Sequence, residues 1–282
     1  MKLKYISFVA FAMTLSLSSC YDLNRFPGDQ LSNEKFYRNE EHAKEAMMAV
    51  YNQMQKEDVF GLQFAMDGLG GIAMGYDPQS YQTIQRGTYD VKNGRVLGKW
   101  QNLYEGIARA NGVLQNVDRC QMSDELKVQY KAEAKFMRAL YYFTLMDFFG
   151  GVPLYDESVI VSESYSEMKN KRESIENVRA FILKDLKEAA DKLPEAWDKA
   201  NYGRATKYAA LAQMGKVYLY AKDYQHAKDC FQQVISSGKY ALYDNYADLF
   251  KPGGDESSEM IFAIQNMGGV GTDHGMPMCF YM

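Results

Sequence analysis

Tyr76, Tyr81, Arg86 and Tyr89 are the residues whose types best suit holding a ligand. They sit in a Gly-rich stretch beside Asp77, Gln79, Gln82 and Gln85. Aromatic faces with polar neighbours suit stacking on sugar rings or gripping peptides. These tyrosines follow no helical period, so a second reading stays open, in which they pack the loop onto a helical scaffold. The same stretch contains Gly68-Leu69-Gly70-Gly71-Ile72-Ala73, which has the G-x-G-x-x-A form of a dinucleotide fingerprint. That motif needs a buried strand before it and a helix after it. The preceding FGLQFAMD is a weak strand and Pro78 cuts off a following helix, so a flexible loop is expected and no cofactor.

Other chemistries lack their residues. No G-x-S-x-G elbow and no H-E-x-x-H helix occurs. The carboxylate pairs Glu40-Glu41 and Asp124-Glu125 fall at helix starts, where they favour the helix dipole. His42, His226 and His274 lie far apart, without Cys or Glu at metal-ligand spacing. No catalytic residue and no metal site is expected. Cys120, Cys230 and Cys279 match no disulfide framework, and at least one should be a free, buried thiol. Lys and Arg number 32 against 36 Asp and Glu, a net charge of −4. With no basic stretch carrying interleaved aromatics, no nucleic-acid partner is expected.

Cys20 is the exception, because its chemistry is covalent. Lys2 and Lys4 precede an uncharged, mostly apolar run from Tyr5 to Leu17, and Leu17-Ser18-Ser19-Cys20 closes it. This is a secretory signal pattern with cysteine at the cleavage point. It resembles a bacterial lipoprotein signal, in which the cysteine is lipidated and becomes the first mature residue. An ordinary signal peptide is the alternative. The run is too short to span a bilayer of roughly 30 Å as a helix. Residues 1–19 are expected to be the signal, and 20–35, with Pro27 and Gly28, a tether.

The elements that must position these residues are mainly helical. Residues 36–56 carry Ala43, Ala46, Met47, Val50, Tyr51 and Met54 at three- and four-residue steps. Residues 57–98 form a loop insertion, because eight glycines from Gly61 to Gly98 break up any long helix. A helical face then runs through Trp100, Leu103, Tyr104, Ile107, Ala110, Asn111, Leu114 and Val117. Ser123 can cap a helix that stops at Gly150-Gly151, and Ser174 one that ends at Pro194. Helices are expected over 207–221 and 224–236, and a short strand over 260–265. Gly215, Tyr218, Ala227 and Phe231 fall on positions of the tetratricopeptide pattern, where small residues let paired helices approach and large ones fill between turns. Leu186, Ala189 and Pro194, and Trp100 and Leu103, fit parts of the same pattern. A generic helical domain with coincidental matches is the alternative. The expected fold class is mainly all-α, tetratricopeptide-like repeats with irregular Gly/Tyr-rich loop insertions and little strand.

Several segments together resemble the SusD/RagB family of Bacteroidetes outer-membrane lipoproteins. They are Cys20-Tyr21-Asp22-Leu23; Trp100-x-x-Leu103-Tyr104-x-x-Ile107-x-x-Ala110-Asn111; Ala132-Glu133-Ala134-x-Phe136-x-Arg138-Ala139-x-Tyr141-Tyr142-Phe143; and Phe149-Gly150-Gly151-Val152-Pro153-Leu154. Asp185-Leu186-x-x-Ala189, Leu193-Pro194, Gly203-Arg204-Ala205-Thr206-x-x-Ala209-Ala210 and Glu259-Met260-Ile261-Phe262 follow in order. The resemblance implies a helical body over 36–265 and a lipid-anchored, surface-exposed place at the cell outer membrane. It also implies a role as a lid over a SusC-like TonB-dependent transporter, capturing oligosaccharide or another nutrient as a binder and not an enzyme. Family members are longer, so 266–282 is expected to begin an incomplete C-terminal ligand-binding region, in a fragment or a truncated gene product.

The ligand residues expected here are Tyr76, Tyr81, Arg86 and Tyr89. Trp100 is expected in the core, and Arg138 and Arg204 as ties between helices. A tetratricopeptide scaffold lipoprotein binding only protein partners is the alternative function, and a glycosidase a more distant one.

Overall fold

The computed structural model describes residues 36–61, 70, 81–159, 171–251, 254 and 257–265. The signal, Cys20, the tether, the Gly68–Ala73 motif apart from Gly70, Tyr76, His274, Cys279 and 266–282 lie outside the described residues. The chain divides into two units, Met1–Tyr37 and Arg38–Met282. Of the first, only Phe36 and Tyr37 are described, their rings meeting edge to face at 5.2 Å.

The α-helices among the described residues are α1 (Glu40–Asn52), α2 (Tyr81–Gln85), α3 (Gly94–Asn116), α4 (Asp124–Phe149), α5 (Ile175–Lys192), α6 (Lys207–Tyr220) and α7 (Tyr224–Ser236), with short 3-10 or π turns between some of them. From α3 to α7 each helix packs on the next in sequence, and α1 lies against α3 and α4. Successive helices stacking on their neighbours is the arrangement of a helical repeat array.

Ser123 and Ser174 cap their helices as the sequence suggests, and Asn39 caps α1 as well. Asn39 Oδ1 accepts from His42 N at 3.0 Å, Ser123 Oγ from Leu126 N at 3.3 Å and Ser174 Oγ from Asn177 N at 3.1 Å. Glu40 and Glu41, and Asp124 and Glu125, occupy first turns, as the dipole favours. Most of α4 from Tyr130 to Met146 is buried, with Ala134, Met137, Tyr141 and Leu145 fully so, because helices cover it on several sides. α7 shows the opposite pattern: Ala227, Cys230 and Val234 form one buried stripe, while Tyr224 and Ile235 are exposed.

The α6–α7 hairpin bears out the repeat spacing. A Cβ on Gly215 would lie 2.5 Å from Phe231 Cε1, so only glycine lets the Phe231 ring seat against α6. Tyr218 stacks on the His226 imidazole at 5.1 Å, closing the turn end of the hairpin. Cys120 and Cys230 are free, buried thiols.

Two expectations are corrected. The 57–98 insertion is not loop to its end: α2 lies within it and α3 begins at Gly94. Gly94 and Gly98 do not break that helix. Asn93 Oδ1 caps it, accepting from Arg95 N at 3.0 Å and Val96 N at 3.2 Å. Gly98 makes room for Asp58, whose carboxylate a Cβ there would strike. Residues 260–265 form turn and coil, not a strand. The apolar run is used instead for packing, Phe262 meeting Phe136 edge to face at 5.0 Å. The one described β-bridge joins Asn39 and Gln121.

Candidate functional site

Three of the four predicted ligand residues fall on α2 and its exit. Ile84, buried to 1% exposure, fastens this short helix, and Thr88 N donates to Thr83 O at 2.9 Å to close the turn. Arg86 is exposed and donates to Gln82 Oε1 at 3.1 Å. Tyr89 is exposed as well. Tyr81 is half-buried, with the Arg95 guanidinium 4.9 Å from its ring centroid. The turn therefore presents an arginine and a tyrosine to solvent, with a second tyrosine stacked under a cation. Tyr76 and Cys20 lie outside the described residues.

Residues that sequence patterning missed fasten this turn to the scaffold. Arg95 reaches Glu57 Oε2 and Asp58 Oδ1, each at 3.1 Å. Those ion pairs outweigh the cost of partial burial and hold the guanidinium charged. Asn93 Nδ2 donates to Thr83 Oγ1 at 3.0 Å, tying α2 to the cap of α3. Lys99, only 2% exposed, donates to Val59 O at 2.8 Å and Asp58 O at 3.2 Å, and its ammonium lies 4.6 Å from the centre of the Phe148 ring. Burial pulls its pKa down to about 8, against the charge of Asp58. Both ends of the insertion thus grip the first two turns of α3. Glycine spacing carries no signal for this, because the partners lie about forty residues apart.

The other singled-out residues are structural. Trp100 packs on Tyr104 and Phe149 with ring centroids 5.0 and 5.1 Å away. Arg138 forks onto Asp185 at 2.7 and 2.9 Å and reaches Asn111 Oδ1 and Glu157 Oε2, each at 2.6 Å. Burial disfavours its charge, but the hydrogen bonds and charges of Asp185 and Glu157 outweigh that and raise its pKa. Arg204 holds Glu133 through two nitrogens, and Tyr51 Oη donates to Glu133 Oε2 at 2.8 Å. Arg138 ties α4 to α5 as expected, whereas Arg204 lies in the connection before α6 and ties it to α4.

Two pockets lie on either side of the contact between residues 202–204 and 262–265. One, of about 370 Å³, is lined by Trp197, Tyr202, Tyr240 and Phe262 together with Glu195, Thr206 and Lys239. The other, of about 320 Å³, is more apolar, with Met48, Met54, Phe262 and Ile264 in its wall. The repeat pattern accounts for the helices around these walls but carries no sign of the space between them.

Comparison with known proteins fits this architecture. Residues 28–219 match a family model named SusD-like and described as "Starch-binding associating with outer membrane". The chain is 26% identical over 288 residues to SusD-like protein P25 of Formosa agariphila, covering 93% of this chain and 54% of that one. It thus spans about half the length of the curated relatives it matches. A SusD-like protein of Bacteroides fragilis superposes with a TM-score of 0.74 at 23% identity, over 89% of this chain and 49% of that one. A laminarin-binding SusD-like protein superposes at 0.72 with 30% identity, over 80% of this chain and 51% of its own. A family model matching well over half of the residues, on a helical array shared with these structures, makes this chain a member of the SusD-like family.

Proposed function

We propose that the protein is a glycan-binding component of an outer-membrane nutrient-uptake system, and not an enzyme. The observation that carries this reading is the 30% identity, over four fifths of the chain, to a laminarin-binding SusD-like protein. Tyr81, Arg86 and Tyr89 of the α2 turn, together with Tyr76, supply the ligand contacts, with ring faces for the sugar and Arg86 for its hydroxyls. Cys20 carries a lipid that holds the protein at the cell surface, and 20–35 is the tether. A SusC-like TonB-dependent barrel receives the captured oligosaccharide. Sugar recognition by aromatic faces ringed with polar side chains supports the assignment to this turn.

Isothermal titration calorimetry with laminarihexaose and maltoheptaose tests the binding claim. Replacing Tyr81 and Tyr89 together with Ala should weaken the affinity at least tenfold, about 1.4 kcal/mol, with the melting temperature nearly unchanged. Unaltered affinity would remove the turn from the site. Cys20→Ala should move the protein from membrane to soluble fractions and abolish acyl labelling. Affinity purification that never recovers an outer-membrane barrel would reject the transporter role.

A further inference from the structure

We infer that the 370 Å³ pocket between residues 195–206 and 260–265 is a second carbohydrate subsite, taking one or two rings of a neutral oligosaccharide. The inference rests on the glycan-binding reading and adds a site to it. None of the pocket's lining residues comes from the 57–98 insertion, so this space is separate from the α2 turn.

Size, platform and rim each support the assignment. The volume lies within the range of small-molecule sites, about 300–1,000 Å³. The platform is Trp197, which is fixed twice. Its Nε1 donates to Ala205 O at 2.7 Å, and the Arg204 guanidinium lies 4.0 Å from the ring centre. Arg204 is itself locked by Glu133 and by Asn201 Oδ1, the latter at 2.7 Å. A ring held through a buried salt bridge needs no ordering when a ligand arrives, which is the condition for a preorganised site. Tyr202 and Tyr240 add aromatic wall.

The rim decides the ligand's chemistry. Glu195 stands 3.6 Å from the Nζ of Lys207 and 3.6 Å from that of Lys239. Both separations exceed a normal hydrogen bond, so these groups keep capacity for a ligand's hydroxyls. The Thr206 and Tyr240 hydroxyls are also only 3.5 Å apart, at the limit of hydrogen-bond distance. An anionic ligand would meet the Glu195 carboxylate and compete for lysines that already face it. An apolar ligand would bury the rim's donors and acceptors without partners. A neutral sugar satisfies both halves, with C–H faces on the rings and hydroxyls on the rim.

The chain has two tryptophans, Trp100 and Trp197, so Trp100→Phe leaves Trp197 as the sole indole reporter. Titrating that variant with laminarihexaose, maltoheptaose and cellohexaose should produce a saturable change in Trp197 emission with at least one sugar. Adding Tyr202→Ala, at a residue 46% exposed, should raise the midpoint at least tenfold while the melting curve stays in place. The Tyr81→Ala/Tyr89→Ala pair should leave the Trp197 response present. Calorimetric binding with a silent Trp197 would overturn the subsite and leave the glycan-binding reading intact. A Trp197 response abolished by the Tyr81 and Tyr89 changes would also overturn it. Neither heat nor fluorescence change with any of the three sugars would overturn both.

Discussion

Replacing Lys99 with Met tests how much it costs to bury the ammonium that meets the two carbonyls at the start of the insertion. The side chain is 2% exposed and points its charge at Asp58 O and Val59 O, beneath the Phe148 ring. Asp58, Glu57 and Arg95 are the charged groups around it. Its pKa falls from 10.5 to about 8 through burial. Between those values the unfolded chain binds a proton that the folded chain has released. Stability therefore rises with pH through that window and is insensitive to this group below it. From pH 7 to pH 10 the wild type should gain about 2–3 kcal/mol relative to Lys99→Met. Urea unfolding of both proteins at pH 7, 8, 9 and 10 measures this, because the tyrosines and other groups titrate in both and cancel in the difference. A difference that stays flat across the series would refute the reasoning. It would mean that the bonds to the two carbonyls and the charge of Asp58 fully offset the cost of burying the ammonium.

Three further predictions concern the scaffold. Arg138→Ala strands Asp185, whose side chain is 3% exposed, and should cost about 3–5 kcal/mol in denaturant unfolding. The paired change Arg138→Met with Asp185→Leu should recover most of that loss, since no buried charge is left alone. Gly215→Ala should cost about 1–3 kcal/mol, because its Cβ would press on the Phe231 ring. Phe231→Leu in the same chain should return part of that loss on a thermal melt. Ser174→Ala should cost about 1 kcal/mol by removing the Asn177 N–H acceptor, while Ser174→Asp should melt close to the wild type.

What sequence reveals here depends on how far apart the causes lie. Caps act over three residues, so Ser123 and Ser174 announced α4 and α5. The Gly215–Phe231 contact crosses a single tight turn, so a repeat spacing could encode it. Gly98 went the other way. Counted locally it is a helix breaker, yet its reason is Asp58, forty residues upstream. The 260–265 run failed for a related cause, since an apolar run does not become a strand without a neighbour to pair with. Of the candidate site, composition pointed to Tyr81, Arg86 and Tyr89 on one turn. It could not indicate that Arg95 covers one of those rings, or that Trp197, distant in sequence, lines a pocket.

The buried polar groups follow one physical rule. Helices satisfy their own backbone, but the segments between them do not, and each buried N–H or C=O there needs a partner. Segment 153–159 meets Tyr104 Oη at Pro153 O (2.8 Å), Asn111 Nδ2 at Tyr155 O (3.0 Å) and Gln115 Nε2 at Glu157 O (2.8 Å). Tyr142 serves Tyr155 twice, accepting from its N–H at 2.7 Å and donating to its carbonyl at 3.1 Å. Lys99 takes up the carbonyls of Asp58 and Val59, and Tyr51 Oη accepts from Ala205 N at 2.9 Å. Glu133 and Arg138 then hold these polar side chains or their segments in place. Apolar and aromatic contacts, with the Arg138–Asp185 pair between α4 and α5, join helix to helix, while tyrosines, amides and further buried charges dock the irregular connections. An array built this way can carry different connections on the same helices, provided that each connection finds polar partners in the helices. That makes Lys99, Glu133 and Arg138 the residues on which the seating of segments 57–59, 201–206 and 153–159 depends.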